Sequence, residues 1–205
     1  MPHHSPCPAP PLEVLLLDFD GVIRHFDDDA LAALESAHGL APGALMAALW
    51  PAGGIDLITG RITLAEFARR LGDEVGVAAA GHAWAYDVPF HADPDVLALA
   101  DRARAAGIRV CLLTNGSDKF GADLATLGID DRFDHVFNTH EIGWAKPSLE
   151  IYVHVLQSLD VAAPAVLFLD DAEKNVLAAT ALGIDAVHFG AVDDLHSALR
   201  RRGLT

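Results

Sequence analysis

Two hydrophobic patterns alternate along most of this 205-residue chain. Short runs of aliphatic residues, bounded by glycine or polar residues, are typical of strands that a parallel sheet buries on both faces. The predicted strands cover residues 14–17, 108–113, 135–137, 165–169 and 186–189. These strands are sufficient for one buried sheet.

Helices are predicted between and after these strands, where apolar residues recur every three or four positions. They cover residues 93–106, 119–127, 149–159, 172–182 and 192–202, and Ser148 is the expected N-cap of the third. A Gly-Ile pair ends three helices, at Gly107, Gly128 and Gly183, as expected where a glycine closes a helix and the chain returns to a sheet. The alternation predicts an α/β fold with a doubly wound parallel sheet.

Residues 24–88 interrupt this alternation and contain no convincing strand. Helical patterns cover residues 28–38, 42–49, 64–71 and 78–86. The first begins in an acidic run that suits a helix N-terminus, whereas the third opens with a Thr63–Glu66 capping box and is predicted to end at Gly72. An all-helical insertion after the first strand predicts a cap domain.

Three regions follow from these patterns. Residues 12–23 and 89–205 are predicted to form the α/β core domain, and residues 24–88 the α-helical cap domain. The proline-rich residues 1–11 lack the apolar segment of a signal peptide and are predicted to be a flexible leader.

Composition narrows the class of protein. An apolar fraction of 52% and a mean hydropathy of +0.28 indicate a globular chain. The net charge of -15 argues against nucleic acid or an anionic membrane as a partner, so an anionic substrate would need local cations or a bound metal ion. Cys7 and Cys111 show no metal-like spacing, which favours reduced thiols in a cytoplasmic protein.

The first strand delivers two carboxylates, Asp18 and Asp20, to its carboxyl end. Open α/β sheets bind their ligands in the crevice at this end, where unpaired buried charges are costly. Two interpretations fit this stretch by itself. Either the acids cap a turn or pair with a lysine, or they are a metal-assisted nucleophile and its acid/base partner.

Other strand ends carry polar residues as well. Thr114-Asn115-Gly116-Ser117 follows the second core strand, Asp170-Asp171 follows the fourth with Asn175 one helical turn later, and Lys146-Pro147 precedes the third core helix. Because parallel strands end at the same edge of a sheet, these groups are expected around one rim.

Such a rim suits phosphoryl transfer. A phosphate monoester carries about two negative charges, so a carboxylate can approach its phosphorus only with counter-charge, which Lys146 and a magnesium ion would supply. Thr114 and nearby backbone amides would hydrogen-bond the phosphoryl oxygens. Asp18 would attack and form an aspartyl-phosphate. Asp20 would protonate the leaving oxygen and then take a proton from the hydrolytic water.

These motifs, in this order, resemble those of the haloacid dehalogenase-like (HAD) hydrolase superfamily. The resemblance rests on Asp18-Phe-Asp-Gly-Val22, Thr114-Asn115-Gly116, Lys146-Pro147 and Leu169-Asp170-Asp171 with Asn175, and it covers residues 12 to about 189. It implies a Rossmann-like HAD core with the small α-helical cap of subfamily I members. The segments around the last two motifs are similar to those of small-metabolite phosphatases and of the phosphatase-like N-terminal domain of soluble epoxide hydrolase.

The resemblance also implies roles at the reacting centre. Asp18 would be the nucleophile and a magnesium ligand, whereas Asp20 would be the acid/base and would offer its backbone carbonyl to the metal. Thr114 would bind the phosphoryl group with Asn115 beside it. Lys146 would bridge the nucleophile and the phosphate.

The remaining metal ligands are implied in the same way. Asp171 would complete the magnesium shell, and Asp170 would lie in that shell or orient Lys146; which of the two aspartates is the direct ligand stays open. Asn175 is expected to organise the loop. Dehalogenase-like members lack an aspartate at the position of Asp20, which favours a phosphatase.

The expected function is that of a magnesium-dependent phosphatase acting on a small phosphorylated metabolite, such as a sugar phosphate. Two alternatives stay open: cleavage of a carbon–halogen or carbon–phosphorus bond on the same fold, and a non-catalytic regulatory module. The protein is expected to be a monomer or a weak homodimer, with no nucleic-acid or membrane partner. The sequence does not name the substrate.

Several residues outside the motifs have two plausible roles. Arg24 and His25 follow the first motif at the cap hinge, where a hinge role is favoured over a substrate contact. Trp50, Arg61 and Trp84 lie in the cap, where specificity would be set. Each of these three is at least as well explained by packing of the helical bundle.

Overall fold

The computed structural model describes residues 10–204, so the predicted leader falls almost wholly outside the described residues. The strands are β1 (Val14–Leu17), β2 (Arg24–Phe26), β3 (Phe90–Ala92), β4 (Arg109–Thr114), β5 (His135–Asn138), β6 (Val166–Asp170) and β7 (Asp185–His188). The helices are α1 (Asp28–Ala37), α2 (Ala44–Ala48), α3 (Gly54–Ile58), α4 (Leu64–Val75), α5 (Ala78–Tyr86), α6 (Pro94–Ala105), α7 (Phe120–Leu127), α8 (Thr139–Ile142), α9 (Leu149–Leu159), α10 (Glu173–Ala181) and α11 (Val192–Arg201).

Five parallel strands form the central sheet in the order β5-β4-β1-β6-β7. The first strand lies in the middle, and Leu16 is flanked by Cys111 on β4 and Phe168 on β6. The chain adds strands first on one side of β1 and then on the other. The predicted doubly wound parallel sheet is therefore confirmed, and the crevice expected at its switch point lies at the carboxyl end of β1.

Both faces of β1 are fully buried, as its uninterrupted aliphatic run predicts. Leu15 and Leu17 belong to a hydrophobic cluster formed with residues of α6, α7 and α11. Val14 and Leu16 point to the other face, where they join residues of α9 and α10. This double cover fixes the strand and therefore fixes the position of the residues that follow it.

The helices α2 to α5 bury a third hydrophobic cluster around Leu45, Leu57, Phe67 and Leu71. It contains none of the buried residues of the two sheet clusters. This separate cluster supports our proposal that residues 24–88 are a cap domain. Among the described residues, no helix is long and apolar enough to cross a membrane.

The prediction of no strand in residues 24–88 is wrong at one end. Strand β2 lies within this range and pairs antiparallel with β3, with Arg24 opposite Ala92 and His25 opposite His91. Each strand has only three residues, too few for a hydrophobic period to show. Together they form a two-stranded ribbon through which the chain enters and leaves the insertion.

The fourth helix is longer than predicted. It passes through Gly72 and ends at Val75, and Gly76 is the left-handed residue that caps it. Gly72 instead serves helix packing, because a Cβ atom there would lie 2.7 Å from the Cα atom of Ala78. On the facing helix, a Cβ atom at Gly81 would lie 2.1 Å from the carbonyl oxygen of Ala68. The two glycines let α4 and α5 approach closely.

Other differences are confined to short elements and helix ends. Helices α3 and α8 have five and four residues and carry too little periodicity to be predicted. Ser148 is the N-cap of α9, but its side chain makes no capping hydrogen bond. The three Gly-Ile helix ends are confirmed, with positive φ angles of 87°, 64° and 83° at Gly107, Gly128 and Gly183.

Candidate active site

Adjacent strands bring three carboxylates together at the carboxyl edge of the sheet. Asp18 follows β1, Asp170 ends β6, and Asp171 is the next residue. The backbone N–H of Asp18 donates to the carbonyl oxygen of Leu169 at 2.9 Å, which locks the two strand ends in register. Each aspartate offers an oxygen within 4.8 Å of the others. This spacing makes the cluster a candidate site for a metal ion.

Lys146 lies between two of these acids. Its Nζ atom is 2.7 Å from Oδ1 of Asp18 and 2.7 Å from Oδ2 of Asp170, and the side chain is 1% exposed. Burial opposes a charge on the lysine, but the two carboxylates outweigh it and raise the pKa of Lys146. The side chain is therefore fixed in place, and its surroundings favour the charged ammonium form.

The same surroundings act differently on the nucleophile candidate. Burial raises the pKa of Asp18 well above its usual value, Lys146 opposes this, and the charge of Asp170 raises the pKa further. Oδ1 of Asp18 also accepts a hydrogen bond from the backbone N–H of Phe19 at 2.6 Å. The described hydrogen bonds and ion pairs of this carboxylate thus converge on Oδ1, which orients Oδ2.

Asn115 holds the backbone on which Lys146 is carried. Its side-chain oxygen accepts from the N–H of Lys146 at 2.9 Å, and its side-chain nitrogen donates to the carbonyl oxygen of Lys146 at 3.1 Å. Both ends of the amide are therefore used on the lysine. The resemblance places Asn115 beside the phosphoryl group with Thr114, and the structure adds that its side chain supports Lys146.

Asp170 is fully buried and surrounded by donors. Besides Lys146, the backbone N–H of Ala172 and the side-chain nitrogen of Asn175 donate to its Oδ1 at 2.9 and 2.8 Å. The backbone of Asn175 is held as well, because the hydroxyl of Tyr152 donates to its backbone carbonyl oxygen at 3.0 Å. This arrangement orients Lys146 and suits Asp170 less well as an accessible metal ligand.

Asp171 is the exposed member of the cluster. Partial burial, followed by the charge of Asp170, raises its pKa. Gly21 faces it at a φ angle of +82°, and a Cβ atom at position 21 would lie 2.3 Å from Oδ2 of Asp171. The glycine thus meets two requirements at once: a left-handed backbone and room for a carboxylate.

Thr114 ends β4 and is buried. The loop that follows it is held by Asn138, whose side-chain nitrogen donates to the carbonyl oxygen of Ser117 at 2.9 Å. A Cβ atom at Gly116 would lie 2.8 Å from Oδ1 of Asn138. Asn138 is not among the predicted site residues, although it directly follows the predicted strand 135–137. A polar residue at the tip of a strand was the available signal.

Asp20 lies apart from the three-carboxylate cluster and makes a two-pronged ion pair with Arg24. The distances are 2.5 Å from Nε to Oδ1 and 3.0 Å from Nη2 to Oδ2. Arg24 is buried, although the sequence favoured only a hinge role for it. The four-residue separation of an acid and an arginine was the signal for this contact.

The insertion touches the core near this rim. Oδ1 of Asp118 accepts from the backbone N–H of Leu64 at 2.7 Å, and Nδ1 of His140 lies 2.7 Å from the carbonyl oxygen of Leu57. Nζ of Lys174 on α10 lies 5.9 Å from the centre of the Trp50 ring. Trp50 is 59% exposed, and its neighbour Lys174 is three residues from Asp171 along the chain.

The other two cap residues considered above have structural contacts. Trp84 packs against Phe67 at the edge of the third hydrophobic cluster, with ring centres 5.6 Å apart and ring planes tilted by 59°. Arg61 is exposed and pairs with Asp56 at 3.3 Å. The packing role is thus observed for Trp84, and an exposed ion pair for Arg61.

Comparison with known proteins extends these observations. A family model described as haloacid dehalogenase-like hydrolase matches residues 12–183. The chain is 32% identical to the sesquiterpene phosphatase astK of Aspergillus oryzae over 113 residues, which are 55% of this chain and 57% of that protein. It is 31% identical to a ribulose-1,5-bisphosphate 5-phosphatase of Halopiger xanaduensis over 98 residues, 47% of this chain and 41% of that enzyme.

Those alignments span only about half the length of the curated relatives. A solved structure of a HAD family enzyme from Bacteroides thetaiotaomicron is similar over 87% of this chain and 94% of that one, with a TM-score of 0.73 and 22% identity. Another structure of that enzyme, in complex with magnesium and inorganic phosphate, has a TM-score of 0.70 and 24% identity. At this level of identity, the structural likeness establishes the fold alone.

Proposed function

The chain belongs to the haloacid dehalogenase-like hydrolase family, and we propose that it is a magnesium-dependent phosphatase using Asp18 as a covalent nucleophile. The observation that carries this proposal is the position of Lys146. Its ammonium lies 2.7 Å from both Asp18 and Asp170, so a buried cation stands beside the carboxylate that would attack. A nucleophilic carboxylate needs this compensation when the incoming group is itself an anion.

The carboxylate cluster fits magnesium by its chemistry and by its spacing. Magnesium takes oxygen ligands at about 2.1 Å in octahedral geometry, so ligands on opposite sides of one ion lie about 4.2 Å apart. The aspartate oxygens lie within 4.8 Å of one another. We assign Asp18 and Asp171 as side-chain ligands, with the backbone carbonyl of Asp20 as a third. When bound, the ion offsets the negative charge that the acids and the phosphoryl group bring together.

Asp18 begins the reaction in this proposal. One of its oxygens attacks phosphorus, the bond between phosphorus and the ester oxygen breaks, and an aspartyl-phosphate forms. Lys146 stays beside both the attacking carboxylate and the transferred group. Thr114 and the backbone N–H groups of the loop after β4 hydrogen-bond the phosphoryl oxygens, and the Asn115 side chain keeps Lys146 in place.

Asp20 moves the protons. Its carboxylic acid gives a proton to the leaving oxygen as the first bond breaks, which leaves a carboxylate. That carboxylate then takes a proton from the water that hydrolyses the aspartyl-phosphate. Phosphate is released, Asp18 is regenerated, and Asp20 again carries its proton.

The substrate in this proposal is a small phosphorylated metabolite, such as a sugar phosphate. Two curated relatives are named as phosphatases, one of a sesquiterpene and one of ribulose-1,5-bisphosphate. Because these substrates differ, the two relatives support the reaction class and do not single out one leaving group. Trp50 and Lys174 lie close together, and Lys174 is three residues from Asp171 along the chain, so we assign these two residues to leaving-group contact. We also propose that the protein is a monomer or a weak homodimer located in the cytoplasm.

Asp20 favours phosphate ester cleavage over dehalogenation, because a halide leaving group needs no proton. The test is release of phosphate from para-nitrophenyl phosphate with added magnesium. We expect EDTA to abolish it and Asp18→Asn to lower it by at least about 10³-fold. Full activity in Asp18→Asn would reject the mechanism, and metal-independent halide release would select the dehalogenase alternative.

A further inference from the structure

Arg24 holds the acid/base candidate in one orientation. Its guanidinium contacts both oxygens of Asp20, at 2.5 and 3.0 Å. A planar guanidinium matches a carboxylate in this two-pronged geometry and fixes its plane as well as its position. The side chain of Asp20 is 41% exposed and that of Arg24 only 10%, so the buried partner determines where the exposed one points.

Arg24 is itself anchored from the far side. Its Nη1 atom donates to Oδ2 of Asp123 on α7 at 2.6 Å, and Lys119 pairs with the other oxygen of Asp123. The four charged residues come from two regions of the chain, residues 20–24 and 119–123. The guanidinium is therefore held at both ends.

Three aromatic rings enclose the guanidinium. Its central carbon lies 4.8 Å from the ring centre of Phe19, 4.7 Å from that of Phe26 and 5.2 Å from that of Phe90. Phe19 stands between the two aspartates of the first motif, and the other two rings belong to β2 and β3. A buried arginine enclosed in this way has little freedom to reorient.

We propose that Arg24 is a positioning residue for proton transfer, which directs the Asp20 carboxyl group at the leaving oxygen. This inference rests on the phosphatase function proposed above. A carboxylate has about four lone-pair sites on its two oxygens. The two hydrogen bonds from Arg24 occupy one site on each oxygen, so a second site on each stays open to carry the proton. The pair thus survives both proton transfers.

The loss of activity expected when Asp20 is misdirected depends on the leaving group of the ester. Protonation matters most for a strongly basic leaving oxygen and least for a weakly basic one. A misdirected Asp20 would slow hydrolysis of phenyl phosphate more than hydrolysis of para-nitrophenyl phosphate, whose phenolate leaves more easily. A general loss of structure would lower both rates by the same factor.

The experiment measures kcat/KM of Arg24→Gln with both esters in saturating magnesium, because this ratio includes loss of the leaving group. We expect a decrease of about 10-fold or more with phenyl phosphate, and a decrease at least threefold smaller with para-nitrophenyl phosphate. Arg24→Lys keeps a charge but not the two-pronged contact and is expected to fall between wild type and Arg24→Gln. Equal decreases with both esters, or none, would overturn the inference.

Two further proteins complete the design. Arg104→Gln is the control, because Arg104 on α6 also forms an ion pair, with Asp134, but does not contact Asp20. We expect this variant to hydrolyse both esters as fast as wild type. If Arg24→Gln fails to fold by circular dichroism, Asp123→Asn loosens the same anchor and should show a smaller but equally selective loss. A uniform loss in that variant refutes the role. A wild type inactive on both esters would instead overturn the phosphatase proposal, and this inference with it.

Discussion

Gly21 and Asp171 approach so closely that a single added methyl group at position 21 would lie 2.3 Å from the Asp171 carboxylate. The two residues belong to different motifs and are 150 positions apart. Their contact shows why the first motif needs a glycine after its second aspartate. A side chain there would displace the exposed acid of the cluster and strain a backbone with a positive φ angle.

We therefore predict that Gly21→Ala weakens magnesium binding. The methyl group must displace the Asp171 carboxylate from its observed position, so the magnesium concentration for half-maximal activity should rise by about 10-fold or more. Titration of para-nitrophenyl phosphate hydrolysis with magnesium measures it. Gly39→Ala is the control, since Gly39 also has a positive φ angle of 68° but nothing within 4 Å of the added Cβ. The same loss in both variants would point to backbone strain alone.

Removal of the buried cation should destabilise the fold as well as abolish activity. Lys146→Met leaves two carboxylates facing each other without compensation, and breaking a buried pair costs about 3–5 kcal/mol. Urea unfolding without metal measures the free energy of unfolding. Lys146→Met/Asp170→Asn removes one of the opposed charges and should recover part of the loss. If Lys146→Met alone is as stable as wild type, the ion pair does not stabilise the fold as predicted.

The raised pKa of Asp171 predicts that the stability of the metal-free protein depends on pH. Because the pKa of Asp171 is raised in the folded protein, folding favours its protonated form. Its stabilising contribution is present below the usual value of 3.8 and is lost as the pH rises through the higher folded pKa. Above that window its charge destabilises the metal-free protein.

Asp171→Asn should therefore raise the melting temperature of the metal-free protein at neutral pH relative to wild type. The difference should shrink as the pH falls towards 3.8. Magnesium should stabilise wild type at neutral pH, where the carboxylate is free to bind it, and should stabilise the variant much less. Thermal unfolding with and without magnesium tests both statements. A variant stabilised by magnesium as strongly as wild type would exclude Asp171 as a ligand.

Packing of α4 against α5 gives a fourth prediction, independent of catalysis. Gly81→Ala places a Cβ atom 2.1 Å from the carbonyl oxygen of Ala68, so the two helices must separate, at a cost of about 1–3 kcal/mol. Gly121→Ala adds the same methyl group in α7 with nothing within 4 Å and should stabilise by about 0.5–1 kcal/mol. Chemical denaturation of both variants gives the comparison. Equal effects would mean that the glycine matters only for helix propensity.

The sequence predicted the sheet and the rim because both depend on local patterns. A run such as Val14 to Leu17 can be buried on both faces only inside a sheet, and parallel strands end at one edge. The polar residues that follow the strands had to meet there. The family resemblance then supplied individual roles, which local patterns do not.

What the sequence did not predict depends on contacts between distant residues. Arg24 contacts Asp123, 99 positions away, and no hydrophobic pattern in the sequence predicts this contact. The Asn115 side chain hydrogen-bonds the backbone of Lys146, 31 positions away, and this contact has no local signal in the sequence. Gly72 resembles a helix end in sequence, and only the neighbouring helix shows that it permits close packing. Such features arise from tertiary structure.

The ribbon of β2 and β3 has a consequence for how this enzyme type can diversify. Phe26 and Phe90 are direct cross-strand partners, so the two residues that bound the intervening segment are about 5 Å apart. Every residue assigned here to phosphoryl or proton transfer lies outside residues 27–89. The segment between the two strands can therefore be replaced by one of different length whose ends are equally close. Such a replacement would change which leaving group is accepted and would leave the residues of phosphoryl and proton transfer unchanged.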